Sequence, residues 1–313
     1  MRKVLKLGVA VIALGAAWWG WKSNPVQDAV TTALAKSDAD VPLAPHPQRV
    51  YWGDTHLHTA NSPDAFGFGT RLDPEAALRF ARGEEVTATT GAKAKLARPL
   101  DFLVIADHSD GLGFSKMLAD APRFLLPDDR LKRWHDMFNE SPEASAKATA
   151  EMIDLGRDMK NADKIADPKK TAEQVESIWR GSIRTVERFN DPGTFSAFIG
   201  FEFTSMPNGN NLHRVVMLRD GFKLGRQVTP AVAKTSSEPE ALWDWMDNYE
   251  KLTGGKALAI PHNSNMSGGL MFEANLPSGG PMTTAYARRR AMREPIVEAT
   301  QIKGDSESHP LLS

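Results

Sequence analysis

No cysteine occurs among the 313 residues. That absence excludes a disulfide framework, a thiolate nucleophile, Cys-ligated zinc and an iron–sulfur cluster. Any bound metal must therefore rest on His, Asp and Glu. Excess charge of one sign is missing as well: 38 Lys and Arg against 39 Asp and Glu leave a net charge of −1. A strongly basic nucleic-acid binder is not expected from such a balance. The chain also lacks a phosphate loop, a dinucleotide fingerprint and a Ser-His-Asp order, and it has no internal repeat or low-complexity tract. What is present is an ordinary globular mixture, 41% hydrophobic and 25% charged, which excludes a disordered chain. The length accommodates one large α/β domain or two small ones.

Residues 1–6, MRKVLK, carry three positive charges, and residues 7–21, LGVAVIALGAAWWGW, carry none. Charged-then-apolar order at the amino terminus is the layout of an export signal or membrane anchor. Trp18, Trp19 and Trp21 occupy the place where a small-x-small cleavage site should lie, and the nearest match, Ala33-Leu34-Ala35, comes about a dozen residues later. Fifteen apolar residues are short for a span, which takes about twenty, but interfacial tryptophans suit a retained anchor. The expectation is an uncleaved anchor with Arg2, Lys3 and Lys6 inside. The rest would be exported, periplasmic or held at the outer face of the inner membrane. Residues 22–48 read as a linker ending in the proline-rich VPLAPHPQ, and residues 49–313 as one domain.

From Val50 onward, apolar runs alternate with helical segments. Strands are expected at Arg49–Asp54, Asp101–Ala106, Phe195–Thr204, His213–Leu218, Ala257–Ile260 and Ile296–Ala299. Asp73-Pro74 marks a helix start, an N-cap followed by proline at N1. Residues 171–189 place Val175, Ile178, Trp179, Ile183 and Val186 at helical spacing, and residues 238–252 read as helix, with Trp243 and Trp245 as packing residues. Strands alternating with helices imply βα units and a parallel sheet. The polar insert at 111–190 reads as a solvated helical excursion, and Arg288-Arg289-Arg290 as a solvated helix face.

Eight histidines are present: His46, His56, His58, His108, His135, His213, His262 and His309. Six lie at or just beyond an expected strand or in a polar turn; His46 in the linker and His135 on a helix do not. Asp54-Thr55-His56-Leu57-His58-Thr59 follows the run RVYWG, and in extended chain His56 and His58 point the same way. DFLVIADHSD ends its apolar run in Asp107-His108-Ser109-Asp110, the edge of a metal site or an acid–base pair. A helix N-cap at Ser109 or Asp110 would account for the acids but not for His108. FSAFIGFEFT buries Glu202 in an apolar run with no basic residue on the same strand, which is costly unless the carboxylate is paired or metal-bound. His213 opens HRVVML, and KALAIPHNS ends in His262. His309, in GDSESHP after the run IVEA with its own Glu298, stands behind the others because the chain ends four residues later.

Five imidazoles and a carboxylate exceed the needs of one tetrahedral ion and suit a cluster of two or three. N/O ligation favours Zn, Mn or Fe over Mg or Ca. A cluster of that kind binds a tetrahedral ester and lowers the pKa of a coordinated water.

The ordered set HxH (His56, His58), ADH (Asp107, His108), GFE (Glu202), LH (His213) and PH (His262) resembles the PHP superfamily of polymerase-associated and histidinol-phosphatase phosphoesterases. YWGDTHLHT, ADHSD, GFEFTSMPNGNNLHR, IPHNSN and QIKGDSESHP together look like its exported branch, catalogued as a domain of unknown function. The resemblance spans residues 50–313. It implies a distorted seven-stranded βα barrel, here interrupted by the helical insertion read at 111–190, with a trinuclear-type site and a small anionic ester as substrate. By position His56 and His58 would hold one metal, Glu202 would bridge two, and His108, His213 and His262 would complete the others. Asp64, in NSPDAFG, falls near a further ligand of the family, and Asp107 is the candidate for proton transfer. The family's closing Asp-x-His is missing, and six strands are one short of seven, which reads as a C-terminally truncated chain with an incomplete barrel and site. Two other readings stay open. An amidohydrolase-type hydrolase also opens with His-x-His, but no Lys stands at the tip of an expected middle strand. An inactive membrane-anchored metal-binding protein would account for the missing motif.

Overall fold

Five of the six apolar runs pair into one curled sheet in a computed structural model that describes residues 49–157, 168–233, 238–276 and 279–306. In chain order the elements are β1 (Gly53–Leu57), α1 (Pro63–Gly67), α2 (Pro74–Ala81), β2 (Val86–Thr87), β3 (Lys93–Ala94), β4 (Phe102–Ile105), α3 (Phe114–Asp120), α4 (Asp129–Glu140), α5 (Pro142–Arg157), α6 (Pro168–Phe189), β5 (Ser196–Phe203), β6 (Arg214–Leu218), α7 (Phe222–Gly225), α8 (Pro239–Thr253), β7 (Ala257–Pro261), α9 (Thr284–Arg293), β8 (Thr300–Gln301) and β9 (Gly304–Asp305). The main sheet has the order β1-β4-β5-β6-β7; β2 with β3 and β8 with β9 form separate two-stranded ribbons. From Tyr51 the chain forms one compact unit. The architecture is mixed α/β.

The sheet is not wholly parallel as expected. β1, β4 and β5 run parallel, whereas β6 is antiparallel to both β5 and β7. The chain between Phe203 and Arg214 is too short for a parallel crossover, which takes about a dozen residues or more, so the chain turns back. The amino end of β6 therefore lies beside the carboxyl ends of the other four strands.

The first strand starts later than expected, at Gly53, and so takes His56 into the strand itself. Ile296–Ala299 is extended chain rather than a strand. Its ladder contact to β7 is one bond, from the Glu298 N–H to the Pro261 carbonyl (3.1 Å), and one bond does not propagate a ladder.

Alternation along β5 divides the core. Ile199, Phe201 and Phe203 face α6 and α8, which supply Trp179, Ile183, Val186, Leu242, Trp243 and Met246. The opposite, concave face holds Val104, Ala106, Val215 and Ile260, with Phe198, Met217 and Leu258 packed against them. Gly200 lies on that concave side, where a Cβ would come within 2.4 Å of Val104 Cγ1 and 2.8 Å of the Val216 carbonyl. Asp73 caps α2 as expected, accepting from Ala76 N (2.9 Å) with Pro74 following.

The helical insert departs from the expected solvated excursion. Its α3, α4 and α5 join α1 around a second core of Phe66, Leu118, Leu131, Trp134, Phe138 and Ala148. The residues Leu131, Trp134 and Phe138 recur at helical spacing on α4, a stripe masked by the polar residues between them. Trp134→Ala is expected to cost about 3–5 kcal/mol, the range for an emptied aromatic site. Urea unfolding measures this, and a loss below about 1 kcal/mol contradicts the packing role. Arg288 is exposed as expected and Arg289 partly so, bonding Asp244 and Asp247 at the surface, whereas Arg290 turns inward to Glu294 and the Met271 carbonyl.

Among the described residues no helix is long and apolar enough to cross a membrane. The apolar run 7–21, the linker 22–48, His46 and His309 lie outside those residues.

Candidate metal centre

The strand directions bring the histidines to one rim of the sheet. His56 and His58 come from the end of β1, His108 follows β4, and His262 follows β7. His213 immediately precedes β6, and because that strand is reversed it reaches the same rim. Glu202 stands near the end of β5 opposite Val215, directly above the concave apolar cluster, and His108 bridges to it in parallel register.

These five imidazoles close a circuit. Successive ring centroids lie 5.0 Å (His56–His58), 4.9 Å (His58–His108), 5.2 Å (His108–His213), 5.9 Å (His213–His262) and 4.2 Å (His262–His56) apart. The fully buried Glu202 carboxylate lies among them. Its Oε1 accepts from His213 Nδ1 (2.5 Å) and His262 Nε2 (3.0 Å). Its Oε2 accepts from His56 Nε2 (3.0 Å), with His58 Nε2 at 2.7 Å and His108 Nε2 at 3.6 Å. The two oxygens thus serve opposite halves of the circuit, as a bridging carboxylate does.

Donor atoms gather into three groups whose members lie within 4.8 Å of one another: His56, Glu202 and His262; His58, Asp64 and His108; His108, Glu202 and His213. Asp64 enters from α1, where its Oδ1 accepts from His58 Nδ1 (3.0 Å) and from Ser62 Oγ (2.6 Å), and its Oδ2 lies 3.3 Å from His108 Nε2. One buried nitrogen, His213 Nε2, makes no hydrogen bond, while His58 Nε2 has only the Glu202 carboxylate beside it at 2.7 Å. Buried polar atoms without partners are rare in folded proteins. A divalent ion would satisfy His213 Nε2, so the donor set fits a metal.

The outer nitrogens are held from behind. His108 Nδ1 donates to Thr204 Oγ1 (2.7 Å), and Thr204 also bonds Asp110. His262 Nδ1 faces the Ile260 carbonyl at 3.3 Å. The helix after Ser109 and Asp110 has Gly113 as its N-cap, so neither residue caps it. Ser109 instead donates its backbone N–H to the Glu202 carbonyl (2.9 Å), tying the tips of β4 and β5 together, and its hydroxyl to the Ala231 carbonyl (2.6 Å).

Protonation follows this geometry. Burial alone would lower His56, but its bonds to Glu202 and Glu298 outweigh burial and raise it to about 9. His58 is raised to about 10 by Asp64 and Glu202 in the same way. Burial lowers His213 to about 4, with His108 and His262 adding to the effect, and lowers His262 also. Glu202, Asp64 and Glu298 overcome burial through their histidine partners and stay below the ordinary carboxylate range. Without metal, His56 and His58 are therefore held in the protonated form by these carboxylates.

Asp107 is buried with both oxygens engaged: Oδ1 accepts from Thr59 N (2.5 Å) and Oδ2 from Thr59 Oγ1 (2.8 Å). Burial raises its carboxyl above the ordinary value. Thr59 follows His58 directly, so Asp107 fixes the turn that aims this ring. Asp107→Ala strands the buried Thr59 N–H and is expected to cost about 1–3 kcal/mol. Asp107→Asn keeps an acceptor for Thr59 N and a donor for Thr59 Oγ1, and is expected to retain most of that stability. Urea unfolding of the pair checks this; equal losses contradict it.

All six principal site residues expected from the sequence, His56, His58, His108, Glu202, His213 and His262, meet here, and Asp64 joins them. His135 does not, since its Nδ1 donates to the Leu118 carbonyl in the helical insert. Sequence reasoning passed over Glu298, Thr59, Ser62 and Thr204 as participants. Only Glu298 carried a signal, an acid inside an apolar run like Glu202.

Fold and site define a mixed α/β protein with a buried His/Glu/Asp cluster able to hold metal ions. The chain belongs to the family described as "Protein of unknown function (DUF3604)", whose model matches residues 45–313. No curated protein and no solved structure matches the chain.

Proposed function

We propose that the protein is a metal-dependent hydrolase, specifically a phosphoesterase of PHP type, built on a distorted and partial βα barrel. The observation that carries this reading is the closed circuit of five imidazoles around the fully buried Glu202, with His213 Nε2 left unpartnered. His56 and His262 would share one ion with Glu202, and His58 and His108 would hold another with Asp64. His108 and His213, again with Glu202, offer a third position. N/O donors suit Zn, Mn or Fe. Such ions supply Lewis acidity and lower the pKa of a coordinated water to about 7. The chain's own residues do the rest. Glu202 would be the ligand common to the first and third positions, Asp107 aims the His56–Thr59 turn through Thr59, and Thr204 holds the His108 ring.

The substrate class we propose is a small anionic ester. We also propose that the amino-terminal segment exports or anchors the protein, which fractionation of cells expressing the full chain tests. Among the described residues no Lys contacts the cluster, which disfavours the amidohydrolase alternative. The test is metal analysis of the purified protein followed by a panel of aryl phosphate mono- and diesters with and without chelator. Metal-dependent turnover that His56→Ala abolishes supports the reading. Protein that binds metal but turns over no ester is a metal-binding protein, and protein that holds no metal overturns both.

A further inference from the structure

Glu298 belongs to none of the donor groups above, yet it touches two of their histidine-bearing segments. Its backbone N–H donates to the Pro261 carbonyl (3.1 Å), one residue before His262. Its Oε2 accepts from His56 Nδ1 at 2.6 Å. β1 and β7 are the two edge strands of the sheet. One residue therefore ties the histidine of one edge to the histidine turn of the other, across the gap where no strand-to-strand ladder joins them among the described residues. The His56 and His262 rings, at 4.2 Å, are the most closely spaced pair of the circuit.

The chemistry of the bond fixes the ring. An ionised carboxylate oxygen only accepts, so His56 Nδ1 must carry the hydrogen. A neutral His56 then has its lone pair on Nε2, the nitrogen that faces Glu202 Oε2 at 3.0 Å. Carboxylate–histidine–metal arrangements of this kind orient the ring and strengthen the ligand. The other rings do not depend on Glu298: His58 lies against Asp64 of its own donor group, His108 against Thr204 and His262 against the Ile260 carbonyl.

We propose that Glu298 is the positioning residue for the His56–Glu202–His262 ion: it selects the His56 tautomer and sets the spacing of that ring from His262 without itself being a ligand. The inference rests on the metal-centre reading and adds a residue and a site-specific role to it. Removing Glu298 is then expected to weaken one ion selectively, because the remaining holders are untouched.

The test uses the full chain as wild type, Glu298→Ala and Glu298→Gln. Zn2+ and Mn2+ occupancy is measured against graded chelator. In metal-free protein at alkaline pH, above the raised His56 value of about 9, the nitrogen-15 shifts of His56 report where its remaining proton sits, and thermal melting confirms the fold. Glu298→Ala is expected to lose about 10–100-fold in affinity for one metal equivalent, to keep the other equivalents, and to lose the fixed Nδ1–H signature of His56. Glu298→Gln, whose side-chain oxygen accepts the same bond, is expected to restore most of the affinity and the signature. Glu298→Ala that binds every equivalent as wild type does overturns the proposal. So does equal loss of all equivalents in both variants, which marks a structural brace only. Wild type that takes up no metal overturns the centre itself, a distinct result from wild type that binds and a variant that binds equally well.

Discussion

Glu202→Gln should empty the site and destabilise the fold by about 3–5 kcal/mol, the cost of leaving buried charge without its partner. The side chain is fully buried, and its two oxygens face His213, His262, His56 and His58 at 3.0 Å or less. Glutamine fills the same space but offers one acceptor and two donors. The amide N–H groups would point at ring nitrogens that now carry hydrogens, and no oxygen pair remains to span two ions. His56 and His58 would lose the anion that sustains their protons. Metal content and urea unfolding of the variant measure both effects. A variant that keeps its metal, or unfolds with wild-type free energy, shows that Glu202 is not the hub of the cluster.

The metal-free protein should be most stable in the mildly acidic range and lose stability in alkali. His56 and His58, raised from 6.5 to about 9 and about 10, are protonated in the fold at pH values where the unfolded chain has released its protons. Their contribution is complete below about pH 6.5 and fades as pH climbs through 9 to 10. On the acid side Glu202, Asp64 and Glu298 are held below their ordinary values, so their contribution is present above about pH 4.5 and is lost as pH falls. His213 and His262, both lowered, add to the acid loss because unfolding lets them take up protons. Metal reverses the alkaline arm. The protons on the inward nitrogens of His56 and His58 must leave before an ion binds, so uptake at pH 7 should release about two protons and weaken as pH falls. Thermal melts in chelator at pH 6, 8 and 10 test the first statement. Calorimetry in buffers of different protonation enthalpy tests the second. A melting temperature that rises from pH 6 to 10, or uptake without proton release, contradicts the assignment.

The histidine set was legible because each member interrupts or ends an apolar run, where an imidazole or carboxylate is costly without a partner. The same reasoning reaches Glu202, whereas Asp64 comes only from the family resemblance. It stops at Glu298 because the run around it reads as a strand in its own right, whereas Ile296 and Val297 are half exposed and the segment makes a single backbone bond to the end of β7. Strand direction was not legible. Periodicity marks Arg214–Leu218 as extended but carries no sign of its sense, and only the short turn before His213 reveals the reversal. The second core was hidden for a related reason: Leu131, Trp134 and Phe138 are few among charged neighbours. Thr59 and Thr204 left no trace, since a threonine that holds a ring looks like any other threonine in a turn.

Asp64 reaches the cluster from α1, and two residues further on Phe66 is buried in the small helical core with Trp134 and Phe138. The sheet therefore does not supply every candidate donor. One wall of the centre is anchored in a second apolar cluster, and loosening of that cluster would withdraw Asp64 from His58 and His108. Changes far out in the helical insert would then tune how firmly cations are retained, with no substitution near the imidazoles.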